Sequence, residues 1–390
     1  MKERIIVAGH ICLDITPEYK GNKVTHIEDL LRPGKLINMS GCEISTGGVV
    51  ANTGLALKIL GSDVLLAGKI GNDSFGKIIY DKLQERDAQD GLIIMEGEST
   101  SYSIVLNFAG IDRIFLHSSG ANETFGSNDI SDELIERGTH FHFGYPPIMK
   151  RMYKGSGAHL AVMLKRVQKA GLTTSLDMAA VDPDSDAAKV NWKRILANVL
   201  PFVDFFVPSF EELCFMLDPK KLDMRYIQAD KDNVDLTRII SIEDDVVPLA
   251  NECINMGAKV VLIKCGVQGM YYCSSGRNEL RPICEKHNLN VDEWGKKKGF
   301  IRSFEPDCVL SGVGAGDTSV AAFLAAMTSG KSLKASVELA AACGAMCVTG
   351  VDALSGLISL DELEQKIQSG WKKGDLSICN SKLQEEEENA

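Results

Sequence analysis

Short apolar runs alternate with amphipathic segments along most of this chain, and turns that contain glycine join them. Ile5, Ile6 and Val7 form one apolar run, and the segment VLLAGKIGNDSFGKIIYDKL (64–83) has the pattern of a strand, a turn and a helix. The same pattern resumes between residues 139 and 277. Strands that alternate with helices pair in parallel, with the helices on the faces of the sheet. The alternation predicts an α/β fold with a mostly parallel sheet flanked by helices.

One segment interrupts this alternation. Between Ser101 and His117, two strand-like runs, YSIVLNF and RIFLH, flank a turn that contains Gly110, which is the pattern of a β-hairpin. Residues 17–46 are polar and depart from the sheet as well. We expect the two segments, at about 15–45 and 98–120, to form a small β-sheet that covers the active site as a lid.

Charge and composition exclude several classes of partner. The chain of 390 residues has 53 acidic and 42 basic residues, a net charge of -11, and no basic stripe, which argues against nucleic acid. Its eleven cysteines occur singly, as expected for reduced thiols of the core. No apolar run reaches membrane-spanning length, so we expect a cytoplasmic protein without a membrane partner.

The segment LSGVGAGDTSVAAFLAAM (310–327) combines a glycine-rich turn with the start of a helix. Glycines between Gly312 and Gly316 let a ligand approach backbone N–H groups, and the positive end of the helix dipole favours an anion such as a phosphate. Asp317, in the first turn, would place a carboxylate beside that anion. An anion site next to a base suits phosphoryl transfer. The alternative is an N-capping Asp after a glycine loop.

Two further segments carry candidate binding residues. Asp14 follows the first strand, at the edge where open α/β sheets bind ligands, and its carboxylate would suit two hydroxyls of a polyol. A structural role for Asp14 in a turn is the alternative. Gly47 and Gly48 open a helix as an anion or hydroxyl site, and Asn52 lies one turn into it.

For some segments the sequence indicates a structural feature and no catalytic or binding role. Residues 220–245 and 281–307 are charged and irregular, which predicts surface insertions, and 376–390 is expected to be a flexible acidic tail. His140 and His142 share one face of a strand, but no third metal ligand accompanies them, so packing is the better explanation.

Five motifs occur in an order that matches a known family. The sequence resembles the ribokinase-like (PfkB-type) carbohydrate kinases between about residues 4 and 365. The motifs that carry the resemblance are Gly9 with Asp14, the GGxxxN of Gly47, Gly48 and Asn52, the GxxGxDxxG of Gly68, Gly71, Asp73 and Gly76, the GAN that ends at Asn122, and the GAGD that ends at Asp317.

The resemblance implies one kinase domain over residues 1–375, with a Rossmann-like α/β body and a β-sheet lid that is also a candidate surface for a homodimer. It implies transfer of phosphate from ATP, with Mg²⁺, to a hydroxyl of a sugar or related small molecule. Carried over by motif, the implied residues are Asp317 as the base; Gly314, Ala315 and Gly316 as the anion hole; Asp14, Gly47, Gly48, Asn52 and Asn122 for the substrate; Ser209, Glu212, Lys264, Gly266 and Gly269 for ATP; and Glu212 for the metal through a water.

The chain departs from the family pattern at three places. Ser311 and Gly312 stand where the family usually has Asp and then Thr or Ser, and Ser209 replaces the Asn of the P-N-x-x-E motif. The frequent D-x-N-x-R is also missing after Asp177. In many members the Asp at position 311 helps to hold potassium, so we expect potassium to activate this protein weakly or not at all.

Other functions remain open at this point. A nucleoside kinase of the same fold would need an apolar slot, for which Tyr102, Phe108 and Phe115 are candidates. A phosphosugar kinase would need basic groups near the acceptor, for which Arg113 is the candidate in the lid. A non-catalytic sugar-binding regulator is the third alternative, although binding alone does not require Asp317.

Overall fold

The computed structural model describes residues 3–110 and 114–374, so Arg113 and the acidic tail at 376–390 lie outside the described residues. The strands are β1 (Ile5–Gly9), β2 (Cys12–Glu18), β3 (Gly41–Gly47), β4 (Val64–Gly71), β5 (Ile93–Met95), β6 (Tyr102–Leu106), β7 (Ile114–Ser118), β8 (His140–Gly144), β9 (Thr173–Asp177), β10 (Phe205–Phe206), β11 (Val260–Lys264), β12 (Gly269–Ser274) and β13 (Lys298–Arg302). The helices are α1 (Ile27–Leu30), α2 (Val49–Ile59), α3 (Ser74–Gln84), α4 (Asp132–Ile135), α5 (Lys150–Lys169), α6 (Trp192–Val199), α7 (Phe210–Leu217), α8 (Pro219–Asp232), α9 (Val247–Asn255), α10 (Arg277–Lys286), α11 (Val291–Trp294), α12 (Ala315–Thr328), α13 (Leu333–Cys347) and α14 (Leu360–Gln368).

The larger sheet has nine strands in the order β13-β12-β11-β10-β9-β8-β1-β4-β5. From β5 to β11 all neighbouring strands are parallel, and β12 and β13 add an antiparallel edge. Helices connect the parallel strands, as the alternation of the sequence predicts. The predicted α/β class with a mostly parallel, helix-flanked sheet is confirmed.

The first strand shows why both faces of this sheet are covered. Ile6 and Ala8 belong to the apolar cluster on one face, whereas Ile5 and Val7 belong to the cluster on the other. Side chains alternate between the faces of a strand, so a continuous apolar run requires a helical layer on each side. The helices α5, α6, α7 and α9 contribute to the first cluster, and α2, α12 and α13 contribute to the second.

The smaller sheet is the predicted lid, with strand order β3-β2-β6-β7. The strands β6 and β7 pair antiparallel, which confirms the hairpin. The strand β2 pairs antiparallel with β3 and parallel with β6. Asp14 therefore lies on a strand of the lid and not in a loop after β1, because the chain enters β2 three residues beyond Gly9.

The segments 220–245 and 281–307 are not irregular, although their status as insertions in the family pattern stays a prediction. Residues 220–245 contain most of α8 and several helical turns, and residues 281–307 contain most of α10, all of α11 and the edge strand β13. Trp294 is fully buried, with its ring 6.0 Å from that of Phe205 and 6.2 Å from that of Phe323. Charged residues on the exposed faces of these helices dominate the sequence pattern and conceal the buried positions.

The two histidines of β8 have a structural role. The hydroxyl of Ser175 lies 2.7 Å from Nε2 of His140 and 2.7 Å from Nδ1 of His142. Among the described residues, no group of three or more His, Cys, Asp or Glu side chains is arranged to hold a metal ion. In that same part of the chain, no helix is both long enough and apolar enough to cross a bilayer.

Candidate active site

The candidate residues meet at one edge of the larger sheet. The carboxyl ends of β1, β8, β9 and β11 lie there, and the amino ends of α2 and α12 face them across the cleft. In open α/β sheets this edge is where ligands bind, because loops diverge there and helix N-termini converge. The geometry brings together three features: the glycine-rich turn that the sequence predicts to bind an anion, a buried carboxylate and two adjoining cavities.

The predicted anion-binding turn precedes α12. Gly314 is the N-cap and has a left-handed backbone with φ of 75°, and a Cβ added there would overlap the Cβ of Ala353. Only glycine fits this position without strain. The first N–H groups of a helix have no partner within the helix, so those of Gly316 and Asp317 are potential donors to the cavity that these residues line. The N–H of Ala315 makes a long contact of 3.5 Å with the carbonyl of Gly312. The predicted change from a glycine turn to a helix is confirmed.

Asp317 lies in the first turn of α12 and is 5% exposed. Its Oδ2 accepts a hydrogen bond of 3.0 Å from the amide of Asn52, and its Oδ1 accepts one of 3.3 Å from the hydroxyl of Thr53. The hydroxyl of Tyr145 also donates to Oδ1. Burial raises the pKa of the Asp317 carboxyl, and the hydrogen bonds from Tyr145 and Asn52 oppose that rise. The carboxylate is therefore held in one orientation by three donors.

A buried ion pair lies beneath the turn. The Nζ atom of Lys264, at the end of β11, donates to Oδ1 of Asp177 at 2.7 Å. A Cβ added at Gly316 would lie 3.5 Å from the same Nζ, so the ammonium adjoins the anion-binding turn. Burial alone would lower the pKa of Lys264, but the carboxylates of Asp177, Glu212 and Asp317 outweigh it and raise the pKa. The lysine is therefore a fixed positive charge at this position.

Ser209 and Glu212 begin α7 as a capping box. The hydroxyl of Ser209 accepts a hydrogen bond of 3.2 Å from the Glu212 N–H, and Oε2 of Glu212 accepts one of 2.7 Å from the Ser209 N–H. This cap satisfies two backbone donors and uses one oxygen of the Glu212 carboxylate. The other oxygen has no part in the capping box. Ser209 and Glu212 thus have a structural role as the cap of α7, and one oxygen of the Glu212 carboxylate remains outside the cap.

Most of the predicted nucleotide residues line a single cavity. Its volume is about 400 Å³, and it is bordered by Ser209, Glu212, Lys264, Gly266, Gly314, Gly316, Asp177 and Asp317. Gly269 is not part of this lining, because it begins β12 and its backbone packs against β13. The cavity combines N–H donors of a turn, one ammonium and carboxylate oxygens.

A second cavity of about 1040 Å³ lies between the body and the lid. Asp14, Gly48 and Asn52 line it together with Asp317. Gly48 has φ of 82° and lies against the ring of His10, where a Cβ would overlap Nδ1. Gly47 lies against the carboxylate of Asp14. Four of the predicted substrate residues, Asp14, Gly47, Gly48 and Asn52, therefore lie in or next to the lining of one cavity, which also contains Asp317.

Asn122 does not contribute to this cavity as the motif implies. Its side chain is fully buried, its Oδ1 accepts from the Ile11 N–H at 3.3 Å, and its Nδ2 donates to the Ile11 carbonyl at 2.8 Å. Both ends of the amide therefore hold the backbone between β1 and β2. Asn122 fixes the point where the lid leaves the body, and it lies behind the space that a substrate would occupy.

The structure also adds candidate site residues that the sequence patterns did not indicate. Tyr145 and Thr53 bond to Asp317, Asp177 pairs with Lys264, and His10 and His117 line the larger cavity. Asp177 ends a central strand, and that position alone was a usable signal. The other four residues, Tyr145, Thr53, His10 and His117, reach the site from segments that are distant in sequence, and no local motif indicates them.

The two cavities share five lining residues: Tyr145, Ala179, Ala180, Gly314 and Asp317. A phosphate chain in the smaller cavity would end beside the hydroxyl of a molecule in the larger one. Asp317 lies at that junction, within the anion-binding turn, and could accept a proton from the hydroxyl. The arrangement can support transfer of a phosphoryl group between two small molecules.

Comparison with known proteins agrees with this chemistry. Residues 2–359 match the model of the pfkB family carbohydrate kinases. Fructokinase-1 from Zea mays is 24% identical over 380 residues, which cover 94% of this chain and 98% of the maize protein. The 2-dehydro-3-deoxygluconokinase of Bacillus subtilis (strain 168) is 21% identical over 351 residues, which cover 88% of this chain and 94% of that enzyme.

Solved structures share the fold over nearly the whole chain. Arabidopsis thaliana ribokinase complexed with ribose and ATP aligns with a TM-score of 0.67 at 20% identity, covering 94% of this chain and 98% of the ribokinase. Fructokinase with bound ATP from Xylella fastidiosa aligns with a TM-score of 0.65 at 18% identity, covering 95% of this chain and 99% of the fructokinase.

Proposed function

Because this chain belongs to the pfkB family of carbohydrate kinases, we propose that it transfers the γ-phosphoryl group of ATP to a hydroxyl of a sugar or sugar-like molecule, with Asp317 as the base. The observation that carries the proposal is the position of Asp317. Its carboxylate lies at the junction of the two cavities and in the first turn of the helix that follows Gly314.

The smaller cavity has the chemistry that a triphosphate requires. The N–H groups of Gly316 and Asp317 would hydrogen-bond to the terminal phosphate, and the Lys264 ammonium would neutralise part of its charge. Ser209, Gly266 and Gly269 belong to the segments on the nucleotide side. Lys264 and the donors of the turn would contact the phosphates, whereas the carboxylates of Asp177, Glu211, Glu212 and Asp317 in the same lining would require a cation beside the nucleotide.

Oxygen donors for Mg²⁺ lie on the same side. Mg²⁺ usually binds to one or two carboxylates, substrate phosphates and waters, and it does not require a cluster of protein ligands. The carboxylate oxygen of Glu212 that the capping box does not use would hold the ion, through a water, and Asp177 lines the same cavity. The chemistry supplied there is neutralisation of charge on the phosphates.

In the transfer itself, the protein moves a proton and stabilises charge without forming a covalent bond to the phosphoryl group. Asp317 accepts the proton of the substrate hydroxyl while that oxygen bonds to the γ-phosphorus and the bond to the β-phosphate oxygen breaks. Asn52 and Thr53 keep the carboxylate oriented, and the N–H groups of the turn stabilise negative charge on the phosphoryl oxygens. Closure of the lid over the larger cavity would exclude water, which would otherwise compete as acceptor.

The packing of the lid disfavours the nucleoside-kinase alternative in the form that the sequence suggested. Tyr102 packs edge-on against Phe75 at 5.4 Å, and Phe108 packs edge-on against Tyr19 at 5.2 Å. Of the three aromatic candidates, only Phe115 lines the larger cavity. A purely sugar-binding regulator would have no use for a carboxylate held by three donors at the junction.

A homodimer through the lid stays a prediction, which sedimentation velocity would test.

The experiment that tests the proposal is an assay of ADP production over a panel of acceptors. Pentoses, hexoses, sugar acids, polyols and nucleosides are supplied singly with ATP and Mg²⁺, and products are verified by mass spectrometry. We expect ADP formation that depends on at least one sugar-like acceptor and yields its monophosphate. Hydrolysis of ATP that no acceptor stimulates, or exclusive use of nucleosides, would contradict the proposal.

A further inference from the structure

A continuous series of hydrogen bonds crosses one face of the larger sheet, from its amino edge toward the candidate active site. We call it the histidine network, and in spatial order its members are Glu3, His287, Thr173, His140, Ser175 and His142. All members except Glu3 are buried. Several imidazoles and hydroxyls joined in an apolar core are uncommon, so this network requires an explanation. The proposed transfer does not use any of these side chains.

The strand register places the network in line with the ATP side of the site. His140 on β8 pairs with Thr173 on β9 in the parallel register. His142 pairs with Ser175 in the same way, so the four side chains share one face of the sheet. Asp177, the partner of the buried lysine described above, is the next residue of β9 on that face. Thr173 and Asp177 are about 13 Å apart, since a parallel strand rises about 3.3 Å per residue.

The carboxylate of Glu3 fixes the direction of the hydrogen bonds. Oε1 of Glu3 lies 3.2 Å from Nδ1 of His287, and a carboxylate only accepts, so Nδ1 carries the proton. Burial lowers the pKa of His287, and Glu3 opposes this only in part, so the ring is neutral and its Nε2 has no proton. Nε2 therefore accepts a hydrogen bond of 2.6 Å from the hydroxyl of Thr173.

Each following group continues in the same direction. The Thr173 hydroxyl donates its one proton to His287, so it accepts from Nδ1–H of His140 at 2.8 Å. Burial lowers the pKa of His140, so the ring is neutral and its Nε2 accepts from the Ser175 hydroxyl at 2.7 Å. Ser175 then accepts from Nδ1–H of His142 at 2.7 Å. Burial lowers the pKa of His142 to about 3, so this ring is neutral as well and its Nε2 has no proton.

All these hydrogen bonds point the same way, so their dipoles add. Every donor is directed toward Glu3, and the negative end of the network lies at His142, on the side of the active site. Nε2 of His142 is buried and has no hydrogen-bond partner in the described part of the chain. The positive charge of Lys264 is close enough to contribute to the low pKa of His142. The ammonium therefore meets the negative end of the network and not its positive end.

The network has one other fully bonded arrangement, in which every hydrogen bond is reversed. Each hydroxyl then donates to the other neighbouring ring, and each ring carries its proton on Nε2. The change takes up one proton at Nε2 of His142 and releases one from Nδ1 of His287, with water as source and sink during local opening of the fold. The reversed arrangement turns an unprotonated nitrogen toward the Glu3 carboxylate and the positive end of the network toward Lys264. The charges at both ends therefore oppose it.

We propose that Glu3 is a distal positioning residue, which acts through the histidine network to hold His142 as the Nδ1–H tautomer and thereby stabilises the Lys264 ammonium for the phosphates of ATP. The inference rests on the proposed function for the role of Lys264, whereas the direction of the network follows from its hydrogen bonds and neutral rings. It assigns a task to buried polar side chains that line neither of the two cavities.

Nitrogen NMR of the whole protein, labelled at histidine, tests the direction of the network. The chemical shift of a ring nitrogen shows whether it carries a proton, and single histidine substitutions assign the resonances. At neutral pH we expect a protonated Nδ1 and an unprotonated Nε2 in His140, His142 and His287. A proton on Nε2 of His142 in the parent protein would overturn the inference.

Two apolar substitutions interrupt the network at different points. Glu3→Met removes the terminal acceptor, and Thr173→Val removes a hydroxyl while keeping the shape of the side chain. Each leaves an Nδ1–H group without an acceptor in the original arrangement, which favours the reversed one. We expect both variants to raise the fraction of His142 with its proton on Nε2 and to weaken ATP binding about 3- to 10-fold by calorimetry. The effects should not add, because both changes act on the same network.

Thr174→Val is the matched control. Thr174 is the next residue of β9, is also buried, and its hydroxyl donates to the Phe202 carbonyl outside the network. We expect this variant to lose stability without a change in the His142 tautomer or in ATP affinity. An unchanged tautomer or an unchanged ATP affinity in both network variants overturns the inference, as does an equal loss of ATP affinity in Thr174→Val.

The two assays keep this inference apart from the proposed function. NMR reports the direction of the network without any ligand, and calorimetry reports ATP binding without any acceptor. A protein that binds ATP and responds to Glu3→Met as expected, but phosphorylates no acceptor in the panel, would contradict the proposed function and leave the role of Glu3 in place.

Discussion

The hydroxyl of Tyr145 donates a hydrogen bond to Oδ1 of Asp317, which lies 172 residues further along the chain. Tyr145 follows β8 and has a left-handed backbone with φ of 70°, an uncommon conformation for a bulky residue. Its position is thus held by the surrounding structure at some cost in strain. The contact brings the end of a central strand and the first turn of α12 together around one carboxylate.

Replacement of the base is the most direct prediction. We expect Asp317→Asn to lower kcat by roughly two to four orders of magnitude, because an amide cannot accept the substrate proton. Nucleotide affinity should remain close to that of the parent, since the N–H groups of the turn are unchanged. Steady-state kinetics and calorimetry with ATP check both parts, with Asp361→Asn on α14 as the control. Activity within a few-fold of the parent would remove Asp317 from this role.

The contact between Tyr145 and Asp317 predicts a pH effect. Burial raises the pKa of Asp317, whereas the hydrogen bond from Tyr145 stabilises the carboxylate and lowers this pKa. The positive charge of Lys264 lowers it as well. The carboxyl of Asp177 is a further buried acidic group that interacts electrostatically with Asp317. Activity requires the ionised base, so it falls as pH decreases through this pKa. Tyr145→Phe should move the acidic limb of kcat/KM to higher pH by roughly one unit.

The measurement is a pH profile of kcat/KM for Tyr145→Phe and the parent. Tyr226→Phe, at an exposed position on α8, controls for loss of a phenol. An unchanged acidic limb would mean that the hydroxyl of Tyr145 does not influence the base.

Asp14 offers a prediction about the acceptor alone. Its carboxylate accepts from the Cys12 thiol at 3.3 Å and faces the larger cavity. Asp14→Ala should weaken substrate binding by about 2 kcal/mol or more, since hydrogen bonds to charged groups contribute roughly 1.5 to 3 kcal/mol each. Calorimetry with acceptor and ATP separately should show little change for ATP. An equal loss for both ligands would assign Asp14 a structural role.

Potassium should have little effect on the rate. Ser311 takes the place of the Asp that helps many pfkB kinases to hold a monovalent cation, and its hydroxyl oxygen accepts from the Val313 N–H at 3.2 Å. A neutral hydroxyl already engaged in a turn is a poor ligand for a cation. Initial rates in potassium and in a large inert cation, at fixed ionic strength and Mg²⁺, provide the comparison. Strong, saturable activation by potassium would contradict the expectation.

The buried histidines predict loss of stability in acid. Burial lowers the pKa of His142 to about 3, so the folded protein keeps the ring neutral where the unfolded chain, with an ordinary pKa of about 6.5, binds a proton. This contribution to stability is complete above about pH 6.5 and decreases as pH falls toward 3. His142→Asn should reduce the slope of unfolding free energy against pH by up to about 1.4 kcal/mol per unit.

Denaturant unfolding at several pH values between about 4 and 7 measures that slope. Replacement of His26, which is exposed, controls for removal of a histidine. Equal slopes for His142→Asn and the parent would show that His142 does not take part in the acid transition.

Periodicity and turn chemistry were sufficient to predict the layered fold, the lid hairpin and the glycine turn before Asp317. Each of these features is encoded within about 20 consecutive residues, where apolar spacing reports the local environment directly. The same logic did not find the helices of residues 281–307, because charged residues separate the buried positions, among them Ile283, Leu289 and Trp294, and weaken the periodic signal. Local patterns also placed Asp14 in a loop, since a change from one sheet to another within three residues has no signature.

The site residues that escaped prediction act through tertiary contacts. Tyr145 and His10 have no motif of their own, and their importance lies in which atoms surround them. Asn122 shows the converse, because it belongs to a recognisable motif while both ends of its amide bond to Ile11. Sequence spacing identifies residues that approach a site, but it does not distinguish those that contact a ligand from those that hold the backbone behind it.

The register of the lid has a consequence for how this protein can change over evolutionary time. Asp14, Ser103 and His117 stand side by side on three strands, so a one-residue insertion within any strand would turn its side chain to the opposite face and remove it from the cavity. The connection at 19–40 joins β2 to β3 without entering this row. Its length can vary while the row stays aligned. If the proposed function holds, we expect new acceptor specificities to arise through substitutions at these three positions and not through insertions or deletions in the strands.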